Sequence, residues 1–312
     1  MIAFSTRSLK VIFAYVAQFR KNRVGPFQLV SLIRAGHACE IWKVRREGDK
    51  GDSGPLAMKL LPQGPSYSKE QVGFLRNEYQ VGRSLDHDRV VRFFDFGTVA
   101  EGSYLTMELF PVLSIKQCLQ LQPEHVARHI DTIIRDAAAG LAHLHERDWI
   151  HCDVKPDNFL VGEEGDVKLI DFSLARRRKG VLARLFTPRG PIQGTKSYMS
   201  PEQIRARNLD QRSDIYSFGC MLYEIVVGKL PFTGTSTNEL LTKHLRFRAP
   251  ALEAVNRNVE PPFARLVERM MAKDPGRRPS SMPEFLEELA DTHVFRRQAE
   301  RPTERPDEAN PS

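Results

Sequence analysis

The chain has 312 residues, of which 41% are hydrophobic and 27% charged, so it can bury a sizeable core and is not expected to be disordered as a whole. Its formal net charge is +7, and residues 1–26 contribute five basic side chains with no acidic one. The remainder is close to neutral, which argues against a nucleic-acid-binding body, and we predict no nucleic-acid partner.

Four cysteines, at positions 39, 118, 152 and 220, show neither metal-ligand spacing nor the density of a small disulfide-rich protein. We therefore expect free thiols, a reducing compartment and a cytoplasmic location. The longest apolar run, VIFAYVA at 11–17, is far shorter than the roughly 20 residues that cross a bilayer. The sequence predicts a soluble chain and sets no oligomeric state.

Residues 1–26 form a basic, apolar N-terminal extension. The segment is compatible with an element packed on the domain or a partner, with a helix on a membrane surface, or with a targeting segment. We favour packing, because one short apolar run with five positive charges gives only marginal membrane attachment. At the other end, residues 290–312 are polar and punctuated by proline, which predicts a disordered tail.

The chain between these ends changes character once. Residues 27–109 contain runs rich in β-branched and aromatic residues, which predict strands, and one helical interval, SKEQVGFLRNEYQVGRSL. After residue 120, apolar residues recur at three- and four-residue spacing and predict helices. The sequence thus predicts an α+β fold with a strand-rich part and a helical part, and a cleft between them is the expected ligand site.

Chemically distinctive motifs follow one another along these two parts. They are LAMKLL around Lys59, RNEYQ around Glu78, HCDVKPDNFLV at 151–161, LIDFSLA around Asp171, and GTKSYMSPEQI at 194–204. In this order they make residues 27–289 resemble a serine/threonine protein kinase domain of the bacterial or eukaryotic-like type. The resemblance implies a two-lobed fold, with a small β-rich lobe at 27–109 and a larger helical lobe at 110–289.

The resemblance also implies a function, the ATP-dependent transfer of the γ-phosphate to serine or threonine hydroxyls of protein substrates. Lys59 matches the strand lysine that pairs with nucleotide phosphates, and Glu78 matches its partner on the following helix. The backbones of Glu108 and Phe110 would face adenine. Further nucleotide-contacting positions implied by the match are Ile33, Gly36, Ile41 and Ala57.

The catalytic loop supplies the most specific part of the match. By resemblance, Asp153 would accept the proton of the substrate hydroxyl and Lys155 would neutralise charge on the transferred group. Asn158 and Asp171 would hold Mg²⁺. Thr195, the family's partner for the loop lysine, indicates serine/threonine specificity.

Two other matches are structural in the family. Asp214 would brace the backbone of the catalytic loop, and Arg278 would pair with Glu202. These positions support the fold rather than the chemistry.

The sequence departs from the family pattern at several positions. The glycine-rich loop appears as RAGHACEI and keeps only Gly36, which predicts weakened nucleotide affinity. Ser173 replaces the glycine after Asp171 and Phe172, and Gly82 replaces a large apolar residue, a gap that Phe93 is expected to fill. These departures keep a pseudokinase, a binding or scaffolding module without phosphoryl transfer, as the alternative.

Cys152 stands where the family has an arginine that holds a phosphorylated activation segment. Cysteine cannot do this, so the sequence predicts no phosphate-dependent switch of this kind. A small buried apolar residue is the favoured interpretation of the thiol, and a redox role is the alternative. The segment 171–202 is rich in Lys and Arg, which suggests acidic substrates, although a solvated basic loop without such a preference is the favoured interpretation.

Overall fold

The computed structural model describes residues 22–36, 39–48, 54–65, 67–178 and 193–296. The chain divides into a strand-rich unit, which ends at Ser84 and resumes over Arg92–Phe110, and a helical unit comprising Leu85–Val91 and the chain from Pro111 on. Most of the N-terminal extension and most of the tail lie outside the described residues. So do residues 37–38 of the glycine-poor loop and residues 179–192 of the basic segment.

The strand-rich unit is built on one antiparallel sheet with the strand order β1-β2-β3-β4-β6-β5. The strands are β1 Arg23–Val24, β2 Phe27–Ala35, β3 Glu40–Arg46, β4 Leu56–Pro62, β5 Phe93–Val99 and β6 Gly102–Glu108. One helix, α1 Lys69–Arg83, packs on β5 and β6. It begins at Ser68, whose side chain accepts the N–H of Gln71 at 3.2 Å, a typical N-cap.

The sheet buries a compact apolar cluster on one face. Its members are Val24, Phe27, Leu29, Val44, Met58, Leu60 and Tyr104. Val24 has no exposed surface, and its strand pairs with the start of β2. The predicted boundary between extension and domain at residue 26 is therefore too late, because the sheet already includes Arg23 and Val24.

Gly82 lies on the buried side of α1, directly against the ring of Phe93. A Cβ atom at position 82 would lie 2.3 Å from Phe93 Cδ2, which is far inside van der Waals contact. The phenylalanine fills the space that a larger side chain on the helix would occupy, as the sequence predicted.

The helical unit contains long helices and short strands. Its helices are α2 Ile115–Leu121, α3 Pro123–Arg128, α4 Ile130–Glu146, α5 Pro201–Ile204, α6 Gln211–Val227, α7 Thr237–Arg246, α8 Leu252–Val255, α9 Pro261–Met270 and α10 Met282–Ala290. Its strands are β7 Leu113–Ser114, β8 Trp149–Ile150, β9 Phe159–Val161, β10 Val167–Leu169 and β11 Arg176–Arg177. The order β10-β9-β7 forms one small sheet, and β8 pairs with β11. The predicted α+β class is confirmed.

Helix α6 forms the centre of this unit. Its residues from Ser213 to Val226 are all buried, as expected of a helix surrounded by other elements. Helices α8 and α9 pack on it, while α10 packs on α4. Helix α6 ends at Gly228, whose φ of 75° gives the left-handed conformation that favours glycine after a helix.

The residues just after α10 pack on the helical unit. Val294 has no exposed surface, its carbonyl accepts the N–H of Glu260 at 3.0 Å, and Phe295 bridges Val259. The predicted tail, 290–312, therefore begins too early, because its first residues are anchored by apolar burial. Within the described residues, no helix combines the length and apolar character that a membrane span requires.

Replacing Gly82 with alanine is expected to lower the free energy of unfolding by about 1–3 kcal/mol, because the added methyl group collides with Phe93. Urea unfolding of the variant measures this effect. The double variant Gly82→Ala/Phe93→Leu should recover much of the loss. A single variant as stable as the wild type would show that the contact at position 82 is not limiting.

Candidate active site

Lys59 and Glu78 form an ion pair inside the strand-rich unit. Lys59 Nζ lies 2.6 Å from Glu78 Oε2, and the side chains are 16% and 2% exposed. Strand β4 presents the lysine and helix α1 the glutamate, as the family resemblance implied. The glutamate thus fixes the position of an ammonium group that would otherwise be a mobile, hydrated charge.

Two other predicted nucleotide positions, Ile41 and Ala57, lie close to Lys59 in the sheet. Ile41 on β3 is directly opposite Lys59, and Ala57 on β4 is opposite Met107 on β6. Residues opposite one another in a sheet point to the same face, and so do residues two apart in one strand. Ile41, Ala57 and Lys59 therefore share a face of the sheet.

The remaining positions in this unit lie near or just beyond the ends of β2 and β6. Ile33 on β2 is 51% exposed, and Glu108 is the last residue of β6, where its N–H donates to the Arg92 carbonyl at 2.8 Å. Phe110 is the last residue of the unit. Gly36 N–H donates to the Cys39 carbonyl at 2.8 Å, which pairs the two residues that flank positions 37–38.

Asp214 on α6 holds the backbone of the catalytic loop in the helical unit. Its carboxylate is 1% exposed and accepts the backbone N–H groups of His151 at 2.7 Å and Cys152 at 2.9 Å. His145 Nε2 lies 2.8 Å from the same carboxylate. Cys152 consequently adopts a φ of 66°, a left-handed conformation that costs a non-glycine residue about 1–2 kcal/mol.

This backbone places Asp153 in a network with Lys155 and Thr195. Lys155 Nζ donates to Asp153 Oδ2 at 2.6 Å and to Thr195 Oγ1 at 2.8 Å. The Thr195 N–H donates to the other carboxylate oxygen of Asp153 at 2.7 Å. The carboxylate is thus oriented through both oxygens and faces a fixed cation.

Gly194 allows the chain to approach this network. Its φ is 119°, and a Cβ atom there would lie 2.9 Å from the Cys152 carbonyl oxygen and 3.6 Å from Asp153 Oδ1. Both the backbone conformation and the lack of space therefore require glycine at this position.

Asn158 in the loop and Asp171 after it in the sequence are the predicted oxygen ligands of Mg²⁺. Asn158 ends a short 3₁₀ turn, Pro156–Asn158, and its Nδ2 donates to the Asp153 carbonyl at 2.8 Å. Asp171 follows β10 with a φ of 64°. One carboxylate and one amide oxygen form a hard donor set that suits Mg²⁺, which takes its other ligands from phosphates and water.

Ser173 is tolerated for a conformational reason. In the motif Asp171-Phe172-Ser173, Asp171 has a positive φ, whereas Ser173 does not. The Ser173 N–H donates to Asp171 Oδ1 at 3.3 Å. Glycine is therefore not required at position 173 in this conformation.

Cys152 is buried, and its Sγ lies 3.6 Å from the Ile150 carbonyl. Burial raises the pKa of its thiol well above the usual range, and the nearby Asp214 raises it further. A cavity of about 30 Å³ lies beside the cysteine, with Arg176 and Arg207 among its lining residues. Arg176 Nη2 donates to Gln193 Oε1 at 2.8 Å. One of these two cations therefore already has a neutral hydrogen-bond acceptor.

The sequence analysis missed two residues that hold the loop, His145 and Gln203. Gln203 Nε2 donates to the Cys152 carbonyl at 2.8 Å, and Gln203 also completes a capping box with Ser200 at the start of α5. No sequence motif marked His145 as a residue that contacts the loop. The capping pattern Ser200-x-x-Gln203 was visible in the sequence, but it does not reveal the second contact.

The predicted pair between Arg278 and Glu202 is present. Arg278 Nη1 lies 2.6 Å from Glu202 Oε1 and Nη2 lies 3.0 Å from Oε2, a bidentate arrangement between buried side chains. The pair links α5 to the segment before α10.

Residues 29–292 match the family model of the protein kinase domain. The chain belongs to the protein kinase domain family. The protein kinase fold and the bacterial serine/threonine type expected from the motifs are thereby confirmed.

Curated relatives of this kinase domain include bacterial serine/threonine-protein kinases. PknL of Mycobacterium tuberculosis is 34% identical over 224 residues, covering 72% of this chain and 55% of the relative. PrkC of Bacillus subtilis is 27% identical over 255 residues, covering 82% and 38%, respectively. PknA of Corynebacterium glutamicum is 30% identical over 260 residues, covering 81% and 53%. The chain spans about half or less of the length of these relatives.

The four thiols of this kinase domain should differ in reactivity, because the thiolate is the reactive form. Cys118, Cys152 and Cys220 are buried, whereas Cys39 is partly exposed. Burial raises the pKa of Cys118, and it raises that of Cys220 to about 12. Iodoacetamide at about pH 8 should modify Cys39 first, as measured by peptide mass spectrometry. Equal labelling of Cys152 would favour the redox interpretation.

Proposed function

We propose that this protein is an ATP-dependent protein kinase that transfers the γ-phosphate to serine or threonine hydroxyls of protein substrates. The observation that carries the proposal is the network of Asp153, Lys155 and Thr195. Asp153 Oδ2 is 2.6 Å from Lys155 Nζ, and Oδ1 is 2.7 Å from the Thr195 N–H. A carboxylate held in this way is oriented to accept a hydroxyl proton.

Each catalytic residue has a separate role in the transfer. Asp153 accepts the proton of the attacking hydroxyl while the new oxygen–phosphorus bond forms and the bond to the leaving diphosphate breaks. Lys155 stabilises negative charge on the transferred group. Its ammonium is positioned for this role by Asp153 at 2.6 Å and Thr195 at 2.8 Å. Placement and charge stabilisation supply most of the catalysis in this type of reaction.

Nucleotide binding requires a cation for the phosphates and oxygen ligands for magnesium. Lys59, held by Glu78, supplies the cation, and Asn158 and Asp171 supply the oxygens. When bound, Mg²⁺ neutralises charge on the phosphate oxygens. We assign the adenine contacts to the backbones of Glu108 and Phe110, with Ile33, Gly36, Ile41 and Ala57 lining the nucleotide.

The pseudokinase alternative depends on the glycine-poor loop. Gly36 closes the β2–β3 connection through its hydrogen bond to Cys39, and residues 37–38 lie outside the described residues. The other departure, Ser173, needs no glycine geometry. A complete and hydrogen-bonded catalytic set therefore favours phosphoryl transfer over a binding module.

Replacing Asp153 with asparagine should lower the rate of transfer by about 10²–10⁴-fold, because the general base is lost. Lys59→Met and Asp171→Ala should abolish transfer through loss of phosphate and magnesium binding. A radiolabelled ATP assay on a mixed serine/threonine peptide acceptor measures this. Asp291→Asn, an exposed position outside the loop, is the matched control. Wild-type rates in the three variants would contradict the assignment.

Phosphatase treatment should change the rate of transfer little. Residue 152 provides no cation that could bind a phosphate, and Arg176 already donates to the neutral side chain of Gln193. The described contacts of the segment 171–202 therefore do not need a phosphate. Mass spectrometry verifies the removal of phosphate before the assay. A large loss of activity would reject this view and direct attention to Thr187, Thr195 and Ser197.

A further inference from the structure

The helical unit contains a second cavity, of about 510 Å³, which we call the basic groove. None of its lining residues belongs to the catalytic set. The residues are Arg248, Ala249, Arg265, Glu268, Arg269, Met271, Ala272, Lys273, Asp274 and Arg277. Its volume lies within the range of about 300–1,000 Å³ that is typical of ligand sites.

Cations outnumber carboxylates in the basic groove. Five lining residues are Lys or Arg, and two, Glu268 and Asp274, are acidic. Asp274 is partly engaged, since its Oδ1 accepts the Gly276 N–H at 2.9 Å. Within the described part of the chain, Arg248, Arg265 and Arg277 are exposed and make no ion pair. The groove therefore presents three guanidinium groups that pair with no carboxylate of the described residues.

The sequence of α9 explains why Arg265 faces outward. The helix buries Phe263, Ala264, Leu266, Val267 and Met270. Arg265, Glu268 and Arg269 occupy the opposite side, and their spacing of three and four residues places them on one face. Arg269 pairs with Glu288 of α10.

Lys273 adds a partly buried cation to the groove. Its Nζ donates to the Tyr216 hydroxyl at 3.1 Å and lies 4.4 Å from the centre of the Phe232 ring. No carboxylate pairs with it among the described residues. Burial lowers its pKa to about 8, so the fold holds this ammonium at a cost that a nearby anion would offset.

We propose that the basic groove docks an acidic segment of a protein substrate, with the carboxylates of the segment pairing with the groove arginines. That the docked protein is a substrate rests on the proposed function, whereas docking itself involves no phosphoryl transfer. Docking at a distance from the reacting hydroxyl binds the ground state and the transition state equally. It therefore lowers KM and leaves kcat unchanged.

The lining residues favour a peptide over other anions. None of them is aromatic, whereas single-stranded nucleic acid is usually bound by stacking on aromatic side chains. Glu268 and Asp274 would repel a continuous polyphosphate but can lie between the spaced carboxylates of a peptide. The planar guanidinium group also matches a carboxylate through two parallel hydrogen bonds.

The test measures binding of a fluorescein-labelled peptide of alternating glutamate and glycine by fluorescence polarisation. This probe contains no hydroxyl to phosphorylate. The double variant Arg265→Glu/Arg277→Glu should bind it about tenfold more weakly than the wild type. Arg257→Glu, an exposed charge reversal in the same unit but outside the groove, should bind normally. The glutamine version of the peptide should not bind.

Several outcomes would overturn the proposal. They are no binding to the wild type, equal binding by the double variant, and equal binding of the glutamine peptide. Loss of binding only on charge reversal at Arg176 and Arg177 would instead assign the acidic peptide to the segment 171–202. In a transfer assay, an acidic extension on a peptide acceptor should lower KM for the wild type alone. Peptide binding without transfer would reject the proposed function and leave docking intact.

Discussion

The catalytic loop depends on one buried carboxylate, that of Asp214. It accepts two backbone N–H groups of the loop and lies 2.8 Å from His145 Nε2. Hydrogen bonds to a charged group contribute about 1.5–3 kcal/mol each, enough to offset the left-handed backbone of Cys152. Helix α6, at the centre of the helical unit, therefore determines the conformation of the loop through Asp214.

This arrangement separates the chemistry from the side chain at position 152. The loop is oriented through its backbone, and the buried thiol contributes packing with a raised pKa. The chain after the described gap contacts the loop through Thr195 and Gln203, and these contacts involve no phosphate. The loss of the family arginine is therefore compatible with an intact catalytic network and bears mainly on control.

Much of the fold and the central contacts could be predicted from the sequence. The family resemblance of the ordered motifs was sufficient for Lys59, Glu78 and the loop residues, because each lies on or next to a regular element. The second contact of Gln203 could not be predicted, because it depends on a long-range approach that Gly194 permits. The end of the domain was also misplaced, since one buried apolar residue, Val294, among the described residues after α10 leaves no periodic pattern.

The dependence of phosphoryl transfer on Asp214 tests this account most directly. The measurement compares kcat of Asp214→Asn with that of Asp210→Asn, which removes the same charge at the start of the same helix and keeps a good N-cap residue. The account predicts a loss of at least about tenfold for Asp214→Asn, corresponding to about 1.4 kcal/mol in the barrier, and a wild-type rate for Asp210→Asn. Equal rates for the two variants, or no transfer by the wild type, would contradict it.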